Sequence, residues 1–514
     1  MSAASRPDLP PPQPLSWTLS QAIARVGGRL SGADVGFRGV GIDSRQSLSG
    51  RLFVALHGER HDGHDYAAAA RTAGAVALMV ERPLAVDLPQ WQVEDSRLAL
   101  GRLAAAHRDR FAGRVVALTG SNGKTTTKEM IAAILAQAAT VRATRGNLNN
   151  DIGLPLTLLE AGEEDFLVLE MGANHPGEIA YLTHIARPEV VAITNAGRAH
   201  LEGFGSPEGV ARAKGEIVQG LRPGGIFVFP ADAPWAGLWR HLAAGRSCLT
   251  CAPCGVAAGL GISSVSAAIA GPHTDPHSGP RSGPDSRLGS GPDSNPGADL
   301  FVDLSAVRTC WDEAGFRTAF RVAGPTLDLD LELELALAGG HNVRNALVAV
   351  AMARALGQAP ATIQAGLATM RPVPGRLFPR RIPGGPRLID DSYNANPDSV
   401  EAAIAVLMSL PGRPVLVLGD LGELGPEAEA LHRRLGVVAR EAGVAALYTV
   451  GGLSLAAAEG FGAGASAGRH FTDQAELIAC LRQDLAPDDL VLIKGSRRSA
   501  MDRVADALCA SWEG

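Results

Sequence analysis

The sequence predicts an α/β protein with three domains, of which the central one is a P-loop domain on a parallel sheet and the C-terminal one is Rossmann-like. Three observations support this prediction. Apolar strand patterns alternate with helical patterns along the chain, which is typical of parallel sheets with crossover helices. A glycine-rich turn at 120–123 joins a buried strand to a helix. The length of 514 residues suits about three domains of ordinary size.

The composition indicates a globular protein and argues against several functional classes. Hydrophobic residues make up 46% of the chain and charged residues 19%, which is enough apolar surface for full cores. The formal net charge is -6, and no basic tract indicates a nucleic-acid surface. The N-terminus lacks the apolar stretch of a signal peptide, and no run is apolar enough to cross a membrane. We therefore expect a cytoplasmic monomer that binds neither nucleic acid nor membrane.

The N-terminal part of the chain predicts a tail followed by a small domain. Residues 1–16 include three consecutive prolines and predict a disordered tail. Residues 17–113 predict an α/β domain, because a strand–helix–strand pattern occupies 52–80. A further strand ends at a polar cluster, the position where ligands of parallel sheets gather. The members of this cluster are Asp43, Ser44 and Arg45.

The turn of the central domain, which we predict to span 114–374, has the composition of a phosphate-binding loop. Its backbone N–H groups and the following helix dipole favour an anion, Lys124 adds a positive charge, and the Thr125 hydroxyl suits Mg²⁺. Leu118 replaces the first glycine of the GxxxxGK[ST] pattern, so an ordinary strand–helix turn is the alternative. The residues expected to bind nucleotide here are Gly120, Ser121, Asn122, Gly123, Lys124, Thr125 and Thr126.

Later segments of the central domain place further reactive residues at the sheet edge that carries the phosphate loop. The strand at 165–170 ends in Glu170, and a carboxylate there would be a Mg²⁺ ligand beside the phosphate loop. A glutamate that faces solvent is the alternative. The next strand leads to His200, and the helix after it carries Lys214.

Three stretches of the central domain lie outside this predicted site. Residues 271–298 are rich in Gly, Pro, Ser and Asp, which predicts a disordered surface insertion. The alternation of apolar and acidic residues at 326–337 predicts one half-buried strand with an acidic outer face. Cys248, Cys251 and Cys254 have C-x-x-C-x-x-C spacing, for which a metal cluster and ordinary thiols both remain open.

The last part of the chain, 375–514, predicts the third domain, because strands again alternate with helices. Asn342 and Asn345 precede it in the first turn of a helix, where they share a face and favour a capping or ligand role. A Pro-Gly segment ending at Arg376 predicts a hinge. A phosphate loop facing a separate domain indicates ATP-driven chemistry. Both a phosphate-transferring enzyme and a ligase that forms an acyl phosphate fit this arrangement.

Eight segments between about residues 39 and 502 resemble the Mur ligase family. They are TGSNGKTTT, GNLNNDIGLP, LEMGAN, NAGRAHLEGFG, GGHNVRNA, DDSYNANPDS, VLGDLGELG and IKGSRRSAMD. DDSYNANPDS and LGDLGELG resemble the members that add D-alanyl-D-alanine, whereas other Mur ligases and folylpolyglutamate synthases differ in that block. The resemblance implies a three-domain Mur ligase architecture, with ATP and Mg²⁺ as cofactors. It implies UDP-N-acetylmuramoyl-tripeptide and D-alanyl-D-alanine as substrates, in the last cytoplasmic step of peptidoglycan-precursor synthesis.

The resemblance also implies roles for single residues. Thr125 and Glu170 would hold one Mg²⁺ and His200 a second, and Lys214 matches a position that family members carbamylate. An exposed helix lysine is the alternative for Lys214. The residues expected in catalysis are Lys124, His200 and Lys214. The further ATP contacts are Asn342, Asn345, Arg376 and Asp391. The substrate contacts are Asp43, Ser44 and Arg45 for the uridine diphosphate and Asn394, Asn396 and Lys494 for the dipeptide. Two alternative functions remain: another Mur ligase-type amide ligase, either tripeptide-forming or folylpolyglutamate-like, and a non-catalytic nucleotide-binding regulator.

Overall fold

The computed structural model describes residues 13–58, 61–254, 298–303, 307–313, 315–324, 327, 329–462 and 468–511. Within these ranges, five-, ten- and six-stranded sheets carry the fold, and a two-stranded ribbon accompanies the first sheet. The predicted α/β class is therefore confirmed. The predicted insertion at 271–298 lies outside the described residues except for Ala298, and so does the predicted tail at 1–12.

The N-terminal sheet has the strand order β2-β7-β6-β5-β4, and only β2 runs antiparallel to its neighbour. The strands of this part are β1 Ser16–Thr18, β2 Arg29–Ser31, β3 Gly36–Arg38, β4 Val40–Gly41, β5 Leu52–Val54, β6 Ala77–Val80 and β7 Gln90–Gln92. The helices are α1 Leu19–Val26, α2 Ala67–Thr72 and α3 Ser96–Arg110. Ser16, which we predicted within the tail, instead pairs with Arg38. The buried Trp17 next to it fixes the chain, because its indole N–H donates to His107 Nδ1 at 3.1 Å.

The central sheet is parallel through its middle and antiparallel at one end. Its order is β15-β16-β14-β13-β12-β11-β8-β10-β9, and β17 pairs with β16. The strands are β8 Arg114–Thr119, β9 Val141–Ala143, β10 Phe166–Glu170, β11 Val190–Ile193, β12 Ile226–Pro230, β13 Ser247–Cys254, β14 Leu300–Asp303, β15 Arg308–Asp312, β16 Gly315–Gly324 and β17 Leu329–Leu335. The helices are α4 Lys124–Leu135, α5 Gly153–Leu159, α6 Glu178–Ala186, α7 Leu201–Phe204, α8 Pro207–Gly215, α9 Ala236–Leu242, α10 Gly340–Ala355 and α11 Pro360–Ala368.

Two predictions about the central sheet have clear outcomes. The half-buried acidic strand is confirmed as β17, whose leucines are buried while Asp330, Glu332 and Glu334 are exposed. Cys248 is exposed and Cys251 is buried. A spacing of three residues places these two thiols on opposite faces of β13, so they do not converge on one ligand. Among the described residues no group of three or more His, Cys, Asp or Glu side chains could hold a metal ion.

The C-terminal sheet has the order β18-β19-β23-β20-β21-β22 and is parallel except for β18. Its strands are β18 Phe378–Arg381, β19 Arg387–Asp391, β20 Arg413–Gly419, β21 Ala446–Val450, β22 Arg469–Phe471 and β23 Asp489–Lys494. Its helices are α12 Pro397–Ser409, α13 Ala428–Ala442, α14 Leu455–Phe461, α15 Gln474–Asp484 and α16 Asp502–Ser511.

Buried apolar side chains connect the three sheets. One cluster runs without interruption from the N-terminal sheet into one face of the central sheet, so these two parts share a core. A second cluster covers the other face of the central sheet. Phe316 and Ala338 of the central part belong to the C-terminal cluster. No helix in the described ranges is long and apolar enough to cross a membrane.

Candidate active site

The phosphate-binding loop lies between β8 and α4 and lines a cavity of about 1900 Å³ that residues of all three sheet regions surround. Gly120 and Gly123 have φ angles of 152° and 77°, which glycine adopts without strain. A β-carbon on Gly120 would lie 2.0 Å from the Thr194 hydroxyl oxygen, and one on Gly123 would lie 2.1 Å from the Asn345 amide oxygen. Glycine at these positions therefore lets β11 and α10 approach the loop closely.

Lys124 points back into its own loop. Its ammonium donates to the carbonyl oxygens of Gly120 at 2.7 Å and Ser121 at 3.3 Å. Burial is the main cause that lowers the pKa of Lys124; nearby Arg376 lowers it further, while Glu170 opposes the shift. Because its partners are neutral carbonyls, a phosphate oxygen would hold this lysine more strongly.

Glu170 stands beside the loop because its strand, β10, pairs in parallel with β8 and places it opposite Leu118. Its carboxylate accepts hydrogen bonds from the Thr125 hydroxyl and the Asn149 amide, each at 2.8 Å. The side chain is only 2% exposed, so the alternative of a solvent-facing glutamate is wrong. Carboxylate, hydroxyl and amide oxygens are ligands that suit Mg²⁺.

Lys214 lies on α8 and is only 1% exposed, so the alternative of an exposed helix lysine is also wrong. Its ammonium lies 5.2 Å from the Phe204 ring centre and 3.4 Å from the Ala173 carbonyl oxygen. Burial, and then the charge of Lys124, lower the pKa of Lys214 to about 7. A substantial share of this amine is therefore neutral and nucleophilic at neutral pH.

His200 adopts a left-handed backbone conformation, with φ at 54°, immediately before α7. Its Nδ1 atom contacts a carboxylate oxygen of Glu423, which comes from the C-terminal part and also has a positive φ, of 60°. The hydrogen bond with His200 is the main cause that lowers the pKa of Glu423. This contact connects the central sheet directly to the C-terminal domain.

The first turn of α10 presents two buried asparagines to the cavity. The Asn345 amide donates to Asn342 Oδ1 at 3.1 Å, and the Asn342 amide donates to the Ala338 carbonyl at 2.7 Å. Burial lowers the pKa of the adjacent His341 to about 4, so this imidazole is neutral at pH 7. The turn offers amide groups without a net charge, which suits a nucleobase better than a phosphate.

The C-terminal rim holds its predicted residues in a tight hydrogen-bonded group. Asp391 accepts from Lys494 Nζ at 2.6 Å and from the Leu377 N–H at 3.0 Å. Lys494 also donates to the Asn394 carbonyl at 3.0 Å. Arg376, in the predicted hinge, donates to the Thr125 hydroxyl at 3.0 Å.

Two further contacts bring the C-terminal domain against the phosphate loop. The amide groups of Asn122 and Asn396 bond to each other in both directions, at 2.8 and 3.3 Å. Arg198, which follows β11, forms ion pairs with Asp398 and Glu401 on α12, at 2.6 and 2.8 Å. The phosphate loop and the N-terminal end of α12 are therefore in direct contact.

Most of the predicted site residues thus line one cavity, but five do not: the loop residue Gly120, the buried Lys214 and three residues of the N-terminal part. Asp43, Ser44 and Arg45 do not line it. Arg45 is largely exposed and forms an ion pair with Asp43 at 2.9 Å, and this contact lowers the pKa of Asp43 to about 2. A role of this cluster in binding the far end of a long substrate stays a prediction.

Several residues of the site were missed from the sequence. They are Asn149, Asn195, Arg198, Tyr393, Asp398, Glu423 and Arg497. All seven lie inside quoted segments, namely GNLNNDIGLP, NAGRAHLEGFG, DDSYNANPDS, LGDLGELG and IKGSRRSAMD, and this was the only signal available. Their contacts are with residues farther along the chain, and no local pattern reports such contacts.

The fold and the site define a P-loop enzyme whose third domain covers the nucleotide loop. Family models match this chain in three places: the Mur ligase family catalytic domain at 36–108, the Mur ligase middle domain at 118–256 and the Mur ligase glutamate ligase domain at 375–497. The UDP-N-acetylmuramoyl-tripeptide–D-alanyl-D-alanine ligase of Escherichia coli (strain K12) is 42% identical over 96% of this chain and 98% of its own. The Haemophilus influenzae enzyme of that name is 35% identical over 91% and 93%.

Solved structures agree with these sequence matches. Crystal structure I of MurF from Acinetobacter baumannii has a TM-score of 0.82 and 34% identity, and covers 97% of this chain and 99% of its own. MurF ligase from Thermotoga maritima in complex with ADP has a TM-score of 0.73 and 28% identity, over 93% and 98%. The chain therefore belongs to the Mur ligase family and is an ATP-dependent ligase. The resemblance predicted from the sequence is confirmed.

Proposed function

We propose that this chain joins D-alanyl-D-alanine to the terminal carboxyl group of a UDP-N-acetylmuramoyl-tripeptide and converts ATP to ADP and phosphate. One observation carries the proposal. The phosphate loop, Glu170, His200 and the C-terminal rim at Asp391 line a single cavity, so a nucleotide and two peptides can meet there. The two relatives named for this activity align with more than nine tenths of the chain. Asp43, Ser44 and Arg45 then serve the uridine-diphosphate end.

The first step makes the carboxylate reactive. A carboxylate oxygen of the tripeptide attacks the γ-phosphorus of ATP, the bond to the β-phosphate oxygen breaks, and ADP leaves an acyl phosphate. Lys124 exchanges its loop carbonyls for phosphate oxygens, Arg376 adds a second positive charge, and the loop N–H groups hold the phosphate in line. Mg²⁺ at Thr125 and Glu170, and a second ion beside His200, would reduce the repulsion between the two anions.

The second step forms the amide bond. The amine of D-alanyl-D-alanine attacks the acyl carbon, and the tetrahedral intermediate loses inorganic phosphate, which keeps one oxygen of the original carboxylate. The amine releases a proton in this step. Lys214 acts as a carbamate: its neutral amine forms an N–C bond with CO₂ and loses a proton. A buried cation thereby becomes an anion next to the cavity lining, because Lys214 Nζ lies 3.4 Å from the carbonyl oxygen of the lining residue Ala173.

A coupled assay tests the proposal. Phosphate release should require ATP, the tripeptide precursor and D-alanyl-D-alanine together, and mass spectrometry should show one new amide product. Single D-amino acids and L-glutamate serve as control nucleophiles, and neither should be joined. Turnover of ATP without the dipeptide, or tight ATP binding without any product, would contradict the proposal and favour a nucleotide-binding regulator.

A further inference from the structure

Lys494, the residue predicted to hold the dipeptide carboxylate, is already neutralised in this structure. It is 2% exposed, and its ammonium donates to Asp391 at 2.6 Å and to the Asn394 carbonyl at 3.0 Å. Asp391 and Lys494 are register partners on β19 and β23, so the pair is built into the sheet. A substrate carboxylate would have to break this pair to use its charge.

The remaining basic side chains around the cavity fall into three groups. Some form ion pairs, namely Arg97 with Asp151, Arg198 with Asp398 and Glu401, and Arg344 with Asp232. Lys124 and Arg376 face the phosphate loop. Within the part of the chain that the structure describes, Arg434, Arg497 and Arg498 line the cavity without an ion pair. A second anionic substrate therefore has these arginines available.

Arg497 lies near the residues that reach the phosphate loop, and Arg498 lies near the carboxylate partner of His200. The Arg497 guanidinium carbon lies 5.4 Å from the centre of the Tyr393 ring, and that of Arg376 lies 4.2 Å from the same ring. Arg376 reaches the Thr125 hydroxyl. Arg498 is close enough to Glu423, the partner of His200, to contribute to the lowered pKa of that carboxyl. Arg434, on α13, has neither connection.

Hydrogen bonds fix the backbone around Arg497 and Arg498, although the side chains of these two arginines are exposed. The Arg497 N–H donates to Asn394 Oδ1 at 3.3 Å, and the Ser496 N–H donates to the Asp420 carbonyl at 3.0 Å. The Ser499 hydroxyl donates to the same carbonyl at 2.6 Å. Because the backbone is already held, only the arginine side chain has to be ordered when an anion binds, and this favours affinity.

We propose that Arg497 binds the C-terminal carboxylate of the incoming dipeptide and so selects dipeptides over single amino acids. The inference rests on the proposed function and adds a residue that distinguishes nucleophiles by their length. The amine must reach the acyl carbon, and each extended residue adds about 3.5 Å to the distance between amine and carboxylate. A guanidinium at a fixed position therefore meets the carboxylate of a dipeptide and misses that of a single amino acid. Arg498, which lies on the side of the cavity near His200, adds a second positive charge that stabilises the dipeptide carboxylate.

A thermodynamic cycle that combines a protein variant with a substrate variant tests this contact. We compare wild type and Arg497→Ala, each with D-alanyl-D-alanine and with its C-terminal amide, which lacks the negative charge. In wild type the amide should lower kcat/KM by about 10- to 100-fold, the usual effect of losing one charge-assisted pair. Arg497→Ala should show that loss with the normal dipeptide, should lose nothing further with the amide, and should leave KM for ATP unchanged.

The controls separate the possible failures. Arg503→Ala removes an exposed arginine of α16 that does not line the cavity, and it should behave as wild type. Arg497→Lys should recover part of the activity, and melting curves check that each variant is folded. A full amide penalty in Arg497→Ala, or a raised KM for ATP instead of dipeptide, would overturn the inference. If wild type joins no dipeptide at all, the proposed function itself has failed.

Discussion

The lysines on the central and C-terminal sides of the cavity have different kinds of partner. On the central rim, Lys124 bonds only to neutral carbonyls, and Lys214 lies against an aromatic ring and one distant carbonyl. On the C-terminal side, by contrast, the buried Lys494 bonds to an acid of the same domain, Asp391. Arg380 with Asp390 and Arg413 with Asp489 form similar pairs away from the cavity.

This difference indicates a division of labour. Cations with weak, neutral partners can transfer to phosphate or carboxylate groups at low cost, and their buried amines have lowered pKa values. Cations that already have a carboxylate partner contribute to the rigidity of the sheet and cannot move without leaving that acid alone. We therefore expect substitution of Lys124 or Lys214 to remove activity, and substitution of Lys494 to remove stability.

The largest effect should come from Lys124→Ala. The phosphate loop would lose the cation that offsets the charge of the γ-phosphate, so kcat should fall by about 1000-fold or more. The melting temperature should hardly change, because the lysine has no acid partner among the described residues. Phosphate release and calorimetry on the same preparation measure both quantities. Near-normal ligation would place the phosphate site elsewhere.

Lys494→Met should show the opposite pattern. Removing the ammonium leaves Asp391 largely buried without its partner, and breaking such a pair costs about 3 kcal/mol of unfolding free energy. Denaturant unfolding measures this loss. Asp391→Asn together with Lys494→Met removes both charges and should restore part of the stability. A single variant as stable as wild type would show that this pair does not hold the rim together.

Lys214 should make stability depend on pH. Its pKa in the folded protein is about 7, below the usual lysine pKa of 10.5. The unfolded chain therefore binds more protons between these values, and folding stability should rise from pH 7 to pH 10.5 by a few kcal/mol. The rise should be absent in Lys214→Met. Both proteins are unfolded with denaturant in buffer free of CO₂, and parallel curves for the two would contradict this account.

Arg198→Ala should have the smallest of these effects. Its ion pairs with Asp398 and Glu401 are only half-buried. We therefore expect the closed arrangement of the two domains to lose about 1 kcal/mol of stability. Small-angle scattering should then show a larger open fraction than in wild type, both without nucleotide and with an ATP analogue. Arg212→Ala is the matched control, because its pair with Glu208 lies within one helix. Equal scattering from Arg198→Ala and wild type would show that other contacts hold the domains.

The sequence predicted the central rim better than the C-terminal one, for a physical reason. The phosphate loop is a local pattern, and Glu170 follows from it because neighbouring parallel strands end at one edge. The pairing of Lys494 with Asp391 depends on β19 and β23 being neighbours, although about a hundred residues separate them. The contact of Asn122 with Asn396 likewise depends on how two domains meet. Local spacing carries no information on either.

The pair of His200 and Glu423 illustrates the same limit. Both residues lie in segments that resemble the family, yet only the fold brings them together. The positive φ angles of both could not be read from their residue types, because non-glycine residues seldom adopt them.

Isotope transfer tests most directly the claim that ATP activates the substrate carboxylate at the junction of the two rims. The terminal carboxylate of the tripeptide precursor is labelled with ¹⁸O, and the inorganic phosphate formed during ligation is analysed by mass spectrometry. We predict that each phosphate released carries one oxygen from the labelled carboxylate, because the acyl phosphate passes that oxygen to its leaving group. Unlabelled phosphate formed together with labelled amide product and water would contradict the account.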